Sequence, residues 1–148
     1  MRQHTGRPGS RLLRDDWATA HRATANRTHT AACTIRHPGG TAGPVDQATG
    51  RKAITAAAAH YTGACAVVSL PTAGQTPDVA DETVTVVTCQ VTLAWDAAPD
   101  TTEGDLITIT APGPHGDPAL AGKTLRVASI GRDSMSWERI FSCTEDQS

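Results

Sequence analysis

Val87-Thr88-Cys89-Gln90-Val91-Thr92-Leu93-Ala94-Trp95 is the stretch whose reading decides the fold. Val87, Cys89, Val91, Leu93 and Trp95 face one way, and Thr88, Gln90, Thr92 and Ala94 face the other. This period of two belongs to a strand that covers a core with one face. The strand is expected to start at Val84. Outward from it, shorter segments of the same kind recur at Ala32 to Arg36, Gly63 to Leu70, Asp105 to Thr110, Thr124 to Ile130 and Trp137 to Cys143. Each is bounded by Gly, Pro or Asp punctuation, such as His37-Pro38-Gly39-Gly40, Pro71 and Gly131-Arg132-Asp133-Ser134. Six short strands predict a mainly β fold, a small β-barrel or sandwich with a short N-terminal helix and long inter-strand loops.

The 148 residues fit one domain. Residues 1 to 9 lack periodicity and contain helix breakers, so they read as a flexible basic arm. A helix is expected over about residues 10 to 26. Ser10 is its N-cap, Asp15 and Asp16 lie near its first turn, and Leu13, Trp17, Ala20 and Thr24 recur at helical spacing. The single domain spans residues 10 to 148, with the β-barrel over about 31 to 144. Residues 37 to 59, rich in Gly and carrying Pro44 and Asp46, read as one long loop in which Ala56 to Ala59 could form a helical turn. Loops of this length in compact domains are commonly functional. Aromatic residues are scarce, so the core must come from Val, Ile, Leu and Ala, while Trp95 and Trp137 read as core or subunit-interface residues.

Charge is unevenly placed. Residues 1 to 36 carry seven arginines against Asp15 and Asp16, a net +5, and the remainder carries six cations against thirteen carboxylates, a net −7. A basic front on an acidic body suits head-to-tail contact between copies, or a front end that touches phosphate. Cys33, Cys65, Cys89 and Cys143 form no CxxC pair and fall in apolar or alternating runs, so they read as reduced core residues. The six histidines are dispersed. His29, His37 and His60 could meet in space, but no close-spaced pair anchors a metal site, and none is expected. Gly122-Lys123-Thr124 lacks the glycine pattern of a phosphate loop, and Ser134 and Ser136 form no nucleophile elbow. No catalytic constellation, cofactor site or membrane-spanning run is legible.

The order of several short motifs carries a resemblance. A helix precedes Cys33-Thr34-Ile35-Arg36, and then follow Asp46-Gln47-Ala48-Thr49-Gly50, Tyr61-Thr62-Gly63-Ala64-Cys65, Glu103-Gly104-Asp105-Leu106-Ile107-Thr108-Ile109, Gly122-Lys123-Thr124-Leu125-Arg126-Val127 and Arg139-Ile140-Phe141-Ser142-Cys143. In this order the chain resembles the head-to-tail connector (head-closure or stopper) proteins of tailed bacteriophages and prophages of actinobacteria. The resemblance implies a non-enzymatic virion protein, assembled in the host cytoplasm and acting in the neck. It would form a homo-oligomeric ring, twelvefold or sixfold, with the portal or adaptor above, the tail terminator and tail tube below, and double-stranded DNA in its channel. A long inter-strand loop would reach that channel; the matching loop is residues 37 to 59, whose cations Arg51 and Lys52 are the candidate DNA contacts. Arg2, Arg7, Arg11 and Arg14 are the candidate inter-subunit arm.

Other readings are a tail terminator or another neck-completion protein, a free DNA-binding β-barrel, and a small barrel enzyme or ligand carrier. A DNA-binding barrel would need a basic, aromatic-bearing strand face, whereas the expected strands are neutral or acidic. An enzyme would need an acid, base and nucleophile set that the sequence does not display.

Overall fold

The computed structural model describes residues 16–70, 88–134 and 136–146. Among them, helix α1 (Trp17–Asn26) leads into eight strands: β1 (Ala31–Arg36), β2 (Gly40–Val45), β3 (Lys52–Ala56), β4 (Ala59–Leu70), β5 (Thr88–Ala94), β6 (Leu106–Ala111), β7 (Thr124–Ile130) and β8 (Glu138–Glu145). Six of them close a barrel in the order β1-β4-β5-β8-β7-β6, with every neighbouring pair antiparallel and β6 returning to β1. Closure pairs both edges of each barrel strand, which removes the open edges that invite aggregation. Register shifts at Ala32/Cys33, Ile35/Arg36 and Val127/Ser129 mark irregularities of the bulge kind, the device by which short strands bend around a narrow barrel. The mainly β class, the barrel and the single short helix are as the alternation predicts.

The barrel is filled by alternate side chains. Ala31, Cys33 and Ile35 point inward from β1, Cys89, Val91 and Leu93 from β5, Ile107 and Ile109 from β6, Leu125 and Val127 from β7, and Phe141 and Cys143 from β8. All four cysteines are free and buried, as their apolar settings predict. The register Ala31↔Cys65 and Cys33↔Gly63 places Cys33 and Cys65 diagonally on adjacent strands. The bond to Cys65 and burial push the Cys33 thiol well above the usual range, and burial takes Cys143 to about 12. The Cys33 and Cys143 thiols stay protonated at physiological pH, which suits packing.

Several expectations need correction. Residues 37 to 59 are not a loop: β2 and β3 form a hairpin, and the Ala56 to Ala59 run ends β3 and begins β4 instead of turning as a helix. Glycine-rich β2 lacks the apolar alternation that would mark it as a strand, which is why composition reads as loop. Strand β4 starts at Ala59, four residues before Gly63. Trp95 does not continue the inward face of β5. The strand ends at Ala94, the Ala97 amide donates to the Ala94 carbonyl, and Ala98 adopts φ 48°, so the chain turns and Trp95 is left 42% exposed. Trp137 is likewise outside the core, at 41% exposed. Both lie outside the barrel beside α1, with Trp17 edge-on to Trp137 at 5.3 Å and the Arg22 guanidinium 3.7 Å above the Trp95 ring. Ser10 to Asp15, the strand start at Val84 and the candidate arm Arg2, Arg7, Arg11 and Arg14 lie outside the described residues.

Candidate functional site: the hairpin and the histidine-aspartate cluster at its base

Two features of this barrel serve no purpose in closing it. They adjoin one another. The first is the β2–β3 hairpin, whose strands pair only with each other among the described residues. Every residue of both strands is exposed except Gly43, including Val45 and Ile54, the latter 73% exposed. Its tip is locally specified. The Asp46 carboxylate accepts from the Ala48 amide and the Thr49 hydroxyl, each at 2.9 Å, the Asp46 carbonyl accepts from the Gly50 amide at 2.8 Å, and Gly50 takes φ 65°. The bonds from Ala48 and Thr49 lower the Asp46 pKa. At the base, a Cβ on Gly40 would stand 2.1 Å from the Thr55 carbonyl oxygen, so the two strands approach only because Gly40 has no side chain.

Arg51 follows this turn and Lys52 opens β3. Both are exposed, and neither makes a side-chain ion pair among the described residues. The structure thus places the two cations together at the outer end of the hairpin.

The second feature sits where the hairpin leaves the barrel. The registers Arg36↔Ala59 and Arg36↔Leu106 set the last residue of β1 beside the first residues of β4 and β6. His37, just after β1, His60, second in β4, and Asp105, just before β6, therefore meet. Asp105 is fully buried. Its Oδ1 lies 2.8 Å from His37 Nδ1 and 3.1 Å from the Thr102 hydroxyl, and its Oδ2 lies 3.1 Å from His60 Nε2 and 3.0 Å from the Thr102 amide. Burial would raise the carboxyl's pKa, but the bonds from Thr102, His37 and His60 together outweigh burial and hold it below the usual range. A carboxylate only accepts, so each facing imidazole nitrogen carries a proton.

The turn that delivers Asp105 is specified by its sequence. The Asp105 amide donates to the Thr102 carbonyl across Glu103-Gly104, and Gly104 has the φ of 92° that this turn requires at its third position. Of the histidines that could meet, His37 and His60 do, with ring centroids 4.6 Å apart. His29 does not join them: it is buried separately, 3.3 Å from Glu138. Sequence reading missed Asp105 as the hub. Its signal was a Gly-Asp pair at the head of an apolar strand.

A concavity of about 600 Å³ lies elsewhere, lined by Ala31, Val67, Cys89, Leu120 and Leu125, with Lys123 and Glu145 paired among its lining residues. Burial pushes the Cys89 thiol up, so it offers no activated nucleophile there.

A family model described as a family of unknown function, DUF6093, matches residues 21–144. The chain belongs to that family. No curated protein and no solved structure matches. The span shared with DUF6093 starts within α1 and runs into β8, so it takes in the whole barrel, the hairpin and the Asp105 cluster, and leaves out the basic arm. Among the described residues no helix of this DUF6093 member is long and apolar enough to cross a membrane.

Proposed function

We propose that this protein is a structural subunit of a tailed-phage neck, a ring-forming head-to-tail connector that helps close the DNA channel between portal or adaptor and tail. The observation that carries the reading is the β2–β3 hairpin. It is a two-stranded element with an exposed Ile54 and an exposed Val45, its strands paired only with each other among the described residues, attached to a barrel that is already complete without it. Isolated two-stranded hairpins are marginal in water, and open edges are normally covered. An element of this kind gains its order from neighbours, and a ring of identical subunits supplies a neighbour on each side of every copy.

The charge layout supports the same reading. Arg51 and Lys52 at the hairpin tip give each subunit two cations that DNA phosphate can meet. The acidic remainder of the chain, net −7 beyond residue 36, repels DNA from other surfaces and suits docking of the basic N-terminal segment of a neighbour or of the ring above. The role consists of self-association and docking and asks for no catalytic group.

The test is composition and imaging of the particle. Mass spectrometry of purified necks should find this chain, and cryo-electron microscopy should show a symmetric ring between portal and tail with residues 46–52 nearest the channel axis. Its absence from particles, together with a stable soluble monomer, would overturn the proposal.

A further inference from the structure

We propose that His37, His60 and Asp105 form a binding site for a divalent transition metal of the zinc type, set at the base of the hairpin. Three donors of the right chemistry, two imidazole nitrogens and a carboxylate oxygen, lie within 4.8 Å of one another. Two imidazoles and a carboxylate are the ligand set of zinc sites with an open fourth position, and nitrogen and oxygen donors of this kind suit first-row divalent ions generally.

The distances are close to what a metal needs. In a tetrahedral site with bonds of about 2.0–2.2 Å, neighbouring donor atoms stand roughly 3.3–3.5 Å apart. His37 Nδ1 and Asp105 Oδ1 are 2.8 Å apart, and His60 Nε2 and Asp105 Oδ2 are 3.1 Å apart. These two pairs would open by about half an ångström, and the widest donor pair, up to 4.8 Å apart, would close by about an ångström through side-chain rotation. The two nitrogens that would ligate are the two now protonated toward the carboxylate, so on binding a neutral ring moves its proton to the other nitrogen and a doubly protonated ring releases one proton to solvent. Asp105 would keep its two bonds from Thr102, the amide at 3.0 Å and the hydroxyl at 3.1 Å, which fix the carboxylate as outer partners fix ligands in metal centres.

A further observation favours a site over a simple hydrogen-bonded clasp. His37 has a half-exposed side chain, which gives an ion a path from solvent and leaves the fourth position open to water, whereas Asp105 is fully buried, which shields the charge it would present to a cation. His60 is nearly buried, and its Nδ1 has no hydrogen-bond partner. With a metal on Nε2 the ring proton sits on Nδ1, so the site asks for a water at that nitrogen, the outer partner that ligating imidazoles ordinarily have. The bound ion would tie the end of β1, the start of β4 and the turn before β6 together. These include both chain ends of the hairpin, so metal would stiffen its mount. The inference stands independently of the neck role.

The untagged full chain, stripped with chelator, is titrated with Zn²⁺ by calorimetry and with Co²⁺ by visible absorption. One saturable equivalent is expected, with cobalt d–d bands, no thiolate-to-metal charge-transfer band, and a higher thermal midpoint in excess Zn²⁺. His37→Ala and His60→Ala should each weaken binding by at least about 10- to 100-fold, and His29→Ala should leave it unchanged. His37 is half-exposed, so its variant remains folded and decides the matter even where the His60 variant is destabilised. No saturable binding by the folded wild-type chain, binding unchanged in His37→Ala, or a thiolate band showing capture by the cysteines would each overturn the site.

Discussion

Replacing Asp105 with Asn leaves two imidazoles, the Thr102 amide and the Thr102 hydroxyl facing a side chain that can accept at only one of its two heads. One or more buried donors then lose their partner. Such losses cost about 1–3 kcal/mol each, so Asp105→Asn should destabilise the fold by about 2–3 kcal/mol near neutral pH, measurable as a lower denaturant midpoint. The pH dependence follows from the direction of the shift. The folded carboxyl is held below the usual 3.8, so the folded state binds this proton less readily than the unfolded chain does. The stabilisation is therefore complete above about pH 4–5 and is lost as pH falls through the folded value. The gap between wild type and Asp105→Asn should narrow below about pH 4, and a gap that stays constant into acid would show that the charge is not what stabilises the cluster.

At the scale of elements, the hairpin and the barrel answer to different residues. Gly40 has the Thr55 carbonyl where a Cβ would go, so Gly40→Ala must push β2 and β3 apart at their base. The three atoms nearest that Cβ all belong to β3. Arg51 and Lys52 place trypsin cleavage sites at the tip. Limited trypsin digestion should cut Gly40→Ala after these residues several-fold faster than wild type, while the thermal midpoint of the barrel moves by only a few degrees. Helix α1 is a similar attachment, seated through Trp17, Arg22, Trp95 and Trp137 and burying none of its residues fully. Both elements lie outside the closed hydrogen-bond network that sets the barrel's stability.

For the whole molecule, the closed barrel predicts that the hairpin is dispensable for folding and needed for assembly. Gly40 and Ala56 are Cα partners, so residues 41–55 can be replaced by a two-residue turn without stretching the barrel. That variant should retain the far-ultraviolet spectrum of the barrel and unfold cooperatively within a few degrees of the wild type. Under the proposed neck role it should fail to restore particles when wild type is absent. A shortened chain that no longer folds would show that the hairpin is part of the core after all.

The local signals of this sequence determined the barrel strands. Val91 and Leu93, Ile107 and Ile109, and Leu125 and Val127 alternate with polar residues because each strand has one wet face and one dry face, and a period of two can be read without knowing its partners. The cysteines were legible for the same reason. The hairpin was not, because Gly40, Gly43 and Pro44 give β2 the composition of a loop, and its strand character comes from pairing with β3 and not from burial. Nor was the Asp105 cluster, since His37, His60 and Asp105 are 23 and 45 residues apart along the chain. Only the registers Arg36↔Ala59 and Arg36↔Leu106 bring them together, and register is decided by how a barrel closes.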